Sequence, residues 1–237
     1  MNGLRLALGF LTSLPVRPRG RLEAGDLGRA ASWFPLVGLA IGAVLWAADS
    51  GATDHLPPLL VGGLVVGLWV VASGALHLDG LADCVDGMLA SAPPARRLEI
   101  MADVHVGAFA VVGLVLYSIV KVAAVAALPS SRPLLLVPVL GRWWVLPLAR
   151  MRPVRPGGLG DQLHAGLGWH WLPALAVSAG MAALLGWRGV LAFAASGLSV
   201  LLWAGLARAR IGGQTGDVLG AACEWAELAA LLAFVWR

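Results

Sequence analysis

The residues from His77 to Met88, HLDGLADCVDGM, place three carboxylates at a spacing that suits ion chemistry. On a helix that advances about 100° per residue, Asp83 lies about 40° from Asp79, and Asp86 about 20° to the other side. All three therefore share one narrow face. Like charges at these intervals repel and destabilise a bare helix. A hard divalent cation, magnesium or manganese, turns that repulsion into ligation, because such ions favour carboxylate oxygens and keep waters that a phosphate can displace. The bland alternative is a solvated acidic helix end. Here the triplet sits directly behind a long apolar run and is flanked by Gly80 and Gly87, one helical period apart, which are expected to leave room beside it for a substrate. His77 falls on roughly the opposite side of an unbroken helix and joins the face only if the helix breaks.

Other residues extend this chemistry. Asp103, in MADVHVGAF, either returns to the same interface as a fourth carboxylate or caps the helix that follows. The glycine-rich GGQTGD at 212–217 leads into a helix, so Gly213 and Thr215 are expected to offer backbone N–H groups to a phosphate. Asp217 is either a further metal ligand or the cap of that helix. Arg155, beside GGLGD at 157–161, is expected to clamp a phosphate with two N–H donors or only to orient the chain in a membrane. Glu224 and Glu227 lie three residues apart inside the last apolar run, and intramembrane carboxylates face a bundle interior. Lys121 and Arg142, also intramembrane, are their expected partners, in a packing salt bridge or a substrate contact. His164 and His170 are isolated and read as loop or interfacial residues.

The elements that must position these groups are membrane helices. The chain has 237 residues, 59% of them hydrophobic and 13% charged, with a mean hydropathy of +0.83. Its apolar runs are long and do not alternate with polar residues, which indicates helices and excludes a barrel. The expected fold is an all-α polytopic integral membrane bundle of about seven transmembrane helices, near 33–48, 58–76, 106–128, 134–149, 171–187, 190–207 and 218–235. No repeat or linker divides it, so residues 1–237 read as one domain behind an arginine-bearing interfacial lead-in at 1–32. The N-terminal segment lacks a small-residue cleavage pattern and reads as uncleaved. Two cysteines are too few for a disulfide framework.

Arginine distribution gives the orientation. With the N-terminus cytoplasmic, Arg5, Arg17, Arg19, Arg21, Arg29, Arg96, Arg97, Arg150, Arg152, Arg155, Arg208 and Arg210 lie inside, and only Arg132, Arg188 and Arg237 outside. The basic excess is thus used for topology, and no nucleic-acid partner is expected. Tryptophans near the span ends form an interfacial belt rather than a base-stacking set. In this orientation the aspartate stretch and both glycine-rich loops meet on the cytoplasmic side, where a soluble substrate reaches them. A transporter would be expected to carry polar groups at midplane and on both faces.

Four blocks resemble the cobalamin synthase family, the adenosylcobinamide-GDP ribazoletransferases. They are FLTSLPV at 10–16 with WFPLVGLAIG at 33–42, GALHLDGLADCVDGM at 74–88, RRLEIMADVHVGAFA at 96–110, and GGQTGDVLGAACEWAEL at 212–228. The resemblance implies a magnesium-dependent enzyme of the bacterial inner membrane, working at its cytoplasmic face. It would join adenosylcobinamide-GDP to α-ribazole or α-ribazole 5′-phosphate and release GMP, the last nucleotide-loop step of vitamin B12 assembly. It implies Mg2+ on Asp79, Asp83 and Asp86, with Asp86 the first choice as general base and His77 a second catalytic candidate. Gly80, Gly87, Asp103, Arg155, Gly213, Thr215 and Asp217 would then contact substrate, and Lys121, Arg142, Glu224 and Glu227 would be structural. Expected partners are the two substrates and the lipid bilayer, with homo-oligomers and contacts to other B12-assembly enzymes compatible with the chain. The alternatives are a lipid enzyme like the CDP-alcohol phosphotransferases and a small transporter.

Overall fold

A computed structural model describes residues 2–236, apart from the side chain of His170; Arg237, counted above on the outer side, and the His170 side chain lie outside the described residues. The helices run in order α1 (Asn2–Leu11), α2 (Asp26–Ala30), α3 (Phe34–Ala52), α4 (Pro58–Ser73), α5 (Leu76–Leu89), α6 (Pro94–Ile100), α7 (Ala108–Ala126), α8 (Pro133–Leu148), α9 (Leu159–Gly166), α10 (Leu172–Leu184), α11 (Gly186–Ile211) and α12 (Gly216–Val235). Among the described residues there is no strand, only an isolated bridge between Pro153 and Gln214. The all-α membrane bundle expected from hydropathy is the fold observed.

All seven expected spans are helical, but they are not equal. Asp26–Ala52, Ala108–Ala126, Gly186–Ile211 and Gly216–Val235 are long and apolar enough to cross a bilayer, and α4 with α5 makes a fifth if the bent pair is one span. The helices α8 and α10 are apolar but short. At 16 residues, α8 reaches only about 24 Å. It is buried along most of its length, as a core helix would be. Gly38 and Gly42 of α3 let the two helices meet closely, since a Cβ at either would lie 2.5 Å from a carbonyl oxygen of α8. The last helix, α12, packs against α5, α8 and α11 and is the most enclosed of the long helices. Outward faces of α7 (Val111, Val115, Ile119) and α11 (Leu198, Leu201, Leu202) are apolar and exposed, as lipid-facing surfaces should be.

A buried polar network crosses this interior. Lys121 Nζ lies 2.8 Å from Glu224 Oε2 and 2.8 Å from Glu227 Oε2, and Arg142 donates to Glu227 Oε1. The Tyr117 hydroxyl donates to Glu224, and Lys121 also sits 4.1 Å from the centre of the Trp69 ring. Two cations meet two anions, so the cluster is neutral in sum while joining α7 and α8 to α12. The sequence pointed to these ion pairs; it did not point to Tyr117 or Trp69.

The sharpest departure from expectation lies between α4 and α5. The apolar run does not carry the aspartate stretch onward but turns through 94°. Gly74 (φ 61°) and Ala75 (φ 58°) both take left-handed backbone, and at alanine this costs about 1–3 kcal/mol. The turn is held by the Ser13 N–H, which donates to Ala72 O at 3.0 Å. The lead-in after α1 thereby props the corner. Beyond it, α5 lies across the first turns of α7 and α12 instead of prolonging a span, and its acidic face is directed out of the bundle.

Candidate active site

The acidic face of α5 forms one wall of an open cavity of about 930 Å³, its mouth included, whose lining contains Asp79, Asp83, Asp86, Asp103, Arg155 and Asp217. Asp79 is exposed, and Asp83 and Asp86 are half-buried. The helical spacing read from the sequence therefore does bring the three carboxylates to one surface. What surrounds them differs in several ways from the expectation.

Neither glycine opens space where a side chain would stand. A Cβ on Gly80 would lie 2.9 Å from Asp217 O, and one on Gly87 would lie 2.3 Å from Met101 Cγ. Each space is filled by protein. Gly80 lets α5 cross the start of α12 backbone to backbone, with Gly220 opposite His77 in the same crossing. Substrate space opens instead along the carboxylate row.

Asp86 is tied down. Its Oδ2 accepts from the Gly107 N–H at 2.7 Å and its Oδ1 from the Ala110 N–H at 2.9 Å. This satisfies backbone donors at the start of α7, the capping role that is one of the two alternatives for Asp103; the other, a place among the carboxylates of the cavity, is where Asp103 stands. Asp103 instead closes its own turn, accepting from the His105 N–H at 3.0 Å and sitting 2.6 Å from the His105 ring. Those bonds, the backbone one first, hold its carboxyl below the usual carboxylate range. Asp86 is thus placed as an anchor between α5 and α7, not as a free base.

The GGQTGD segment also takes a different role. Gln214 N–H donates to Arg152 O at 2.9 Å and Val154 N–H to Gln214 O at 3.0 Å, fastening the segment to the 152–154 loop. A Cβ on Gly213 would lie 2.2 Å from Arg152 O. Thr215 is buried and caps α12, its hydroxyl accepting from the Val218 N–H at 3.3 Å. Neither Gly213 nor Thr215 faces the cavity, so the expected phosphate cradle is used for internal packing. The cap is Thr215 and not Asp217, which frees Asp217 to join the acidic wall. Arg155 bridges Asp217 Oδ2 at 3.0 Å and Leu98 O at 3.1 Å, so it stands in the cavity wall pinned between α6 and α12.

From the sequence Arg97 reads only as an orienting charge. It is buried and donates to Gly87 O at 2.9 Å and Met88 O at 2.6 Å, capping the end of α5. Nothing in RRLE distinguishes it from Arg96, which stays outside in a solvated pair with Glu99. His77 does not reach the acidic cavity. It is 5% exposed and lines a second, mostly apolar cavity of about 670 Å³, mouth included, which shares Asp79 and Asp217 with the first.

The acidic cavity gathers five carboxylates around the guanidinium of Arg155. Partial burial, then the neighbouring carboxylates of Asp217 and Asp79, push the Asp83 carboxyl up to about 7, against the opposing pull of Arg155. An added divalent charge would reverse that balance. Among the described residues no three His, Cys, Asp or Glu side chains are grouped tightly enough to enclose a metal ion. The carboxylate oxygens of Asp83 and Asp217, on a wall open to one side, are donors of the kind that magnesium takes together with water and phosphate.

The sequence profile described as cobalamin-5-phosphate synthase matches residues 3–235. An adenosylcobinamide-GDP ribazoletransferase of Stutzerimonas stutzeri is 43% identical over 98% of this chain and 97% of its own. One of Pseudomonas paraeruginosa is 43% identical with the same coverage, and one of Desulfitobacterium hafniense is 35% identical over 98% and 96%. No solved structure matches the chain. With a profile match from the first helix to the last, and relatives aligned across the acidic cavity and the bundle that carries it, the chain belongs to the cobalamin-5-phosphate synthase family.

Proposed function

We propose that the chain transfers the phosphocobinamide group of adenosylcobinamide-GDP to α-ribazole or α-ribazole 5′-phosphate, releasing GMP, at the cytoplasmic face of a bacterial inner membrane. The observation that carries this reading is the acidic cavity of Asp79, Asp83 and Asp217 beside Arg155, at one end of a membrane bundle that belongs to this family throughout its length. The twelve-to-three arginine asymmetry supports the cytoplasmic orientation. The full-length family match favours cobalamin assembly over a CDP-alcohol phosphotransferase or a transporter.

In the reaction a ribose hydroxyl of the acceptor attacks the phosphorus nearest the cobinamide arm. A new P–O bond forms, the bond to the bridging oxygen breaks, and that oxygen leaves as part of GMP. Because the acceptor can carry phosphate on its 5′ oxygen, the attacking hydroxyl is a secondary one of the ribose ring. Such transfers depend on alignment and charge neutralisation more than on covalent help. Asp83 and Asp217 would hold magnesium, which when bound supplies positive charge to the diphosphate oxygens. Arg155, fixed by Asp217 and Leu98, adds a guanidinium in the same wall. Asp79, exposed and shared by both cavities, would take the hydroxyl proton. Asp86 keeps the start of α7 in register with this wall.

The test is direct. Purified protein in lipid nanodiscs, given adenosylcobinamide-GDP and α-ribazole, is expected to release GMP in step with cobalamin formation. Release of CMP from CDP-diacylglycerol, with no GMP from the corrinoid, would select the lipid enzyme instead.

A further inference from the structure

The second cavity adjoins the acidic one at Asp79 and Asp217. Its walls come from α1, α2, α3, α5, α8, α9 and α12, and most of its lining is apolar, including Phe10, Leu27, Phe34, Leu76 and Leu159. Besides Asp79 and Asp217, two polar side chains interrupt that lining. Arg142 is 1% exposed; it donates to Glu227, but its Nε and Nη2 have no partner. His77 Nδ1, in the same wall, is also unpartnered. Unpaired buried polar groups are costly, and the two free Arg142 nitrogens, donors only, call for a ligand atom that accepts from them. Asp79 and Asp217 stand where this cavity adjoins the acidic one.

These features specify a ligand that is flat or bulky, almost wholly apolar, and equipped with an isolated acceptor. A lipid chain has no acceptor for the arginine. The base of α-ribazole, a dimethylated benzimidazole, fits: it is a fused aromatic ring with two methyl groups, and once one ring nitrogen bonds the ribose the other is its single acceptor. We propose that this cavity receives the aromatic base of the acceptor nucleoside, its free ring nitrogen accepting from Arg142 and its ribose directed toward Asp79. The inference rests on the transferase reading and adds where the acceptor sits. In this arrangement Asp79 meets the ribose hydroxyl while the diphosphate occupies the acidic cavity, so the two substrates approach the carboxylates from different sides.

The test uses Leu159→Trp, at an exposed position at the start of α9, where a larger side chain fills the cavity without disturbing the core. The KM for α-ribazole is expected to rise about tenfold or more while that for adenosylcobinamide-GDP stays within about twofold. In the unmutated protein, a riboside of benzimidazole lacking both methyl groups is expected to show a KM raised about tenfold, which reads the same pocket if the variant fails to fold. A shift confined to the corrinoid KM, or equal KM values for the two ribosides, overturns the assignment of the cavity alone. Absence of GMP release by the unmutated protein overturns the transferase reading, and the cavity assignment with it.

Discussion

Replacing Asp83 by asparagine lowers the rate of GMP release about 100- to 1000-fold and leaves the melting transition in detergent unchanged. The carboxylate is half-buried against Asp79 and Asp217, and its affinity for a proton is raised by that crowding. Removing one negative charge from a repulsive cluster does not threaten the fold. It would remove one of the proposed magnesium ligands, and an amide oxygen is a weak substitute beside a diphosphate. Activity assays beside a thermal melt on the same preparation check both halves. A variant with normal turnover would remove Asp83 from the site, and one that melts early would make it a structural residue.

The second large effect is on stability. Glu227→Ala is expected to lower the free energy of unfolding by about 3–5 kcal/mol, because it strips a partner from two buried cations at once. Glu227 receives Lys121 at 2.8 Å and also the Arg142 guanidinium, and none of the three side chains reaches solvent. Burying a lone charge costs far more than the pair itself contributes. Glu224 would be left facing Lys121 and Tyr117, with Arg142 unpaired beside the apolar cavity. Denaturant unfolding in mild detergent measures this loss. An unchanged midpoint would mean that water or lipid reaches the network and that it is not a dry joint between α7, α8 and α12.

How much of this arrangement could be read from the sequence depended on the kind of interaction. Helices and their apolar character follow from local composition, and the shared face of Asp79, Asp83 and Asp86 follows from helical period, so these were legible. The pairing of Lys121 and Arg142 with Glu224 and Glu227 was legible for another reason: four charges within a membrane have few alternatives to one another. The 94° corner was not legible, because a Gly-Ala pair behind an apolar run looks like more helix. Only the prop from Ser13, sixty residues earlier in the chain, shows why it bends. That corner also explains the misplaced glycines. With α5 turned across α12, Gly80 becomes a point of backbone contact and Gly87 a seat for Met101. The GGQTGD segment looked like a phosphate loop because its composition permits one. Whether its N–H groups face a ligand or the carbonyl of Arg152 is set by a partner loop that local sequence does not identify. Arg97 and the apolar cavity were missed because each is assembled from elements far apart in the chain.

The most direct measurement is the dependence of GMP release on divalent cation, using metal-stripped protein in nanodiscs with adenosylcobinamide-GDP and α-ribazole. No turnover is expected in excess chelator, with full recovery on adding Mg2+ and a much weaker response in Asp83→Asn. Turnover at the full rate in chelator, or an identical Mg2+ response in the variant, would contradict the assignment of the carboxylate wall of α5 and α12 as the place where an ion and a diphosphate meet.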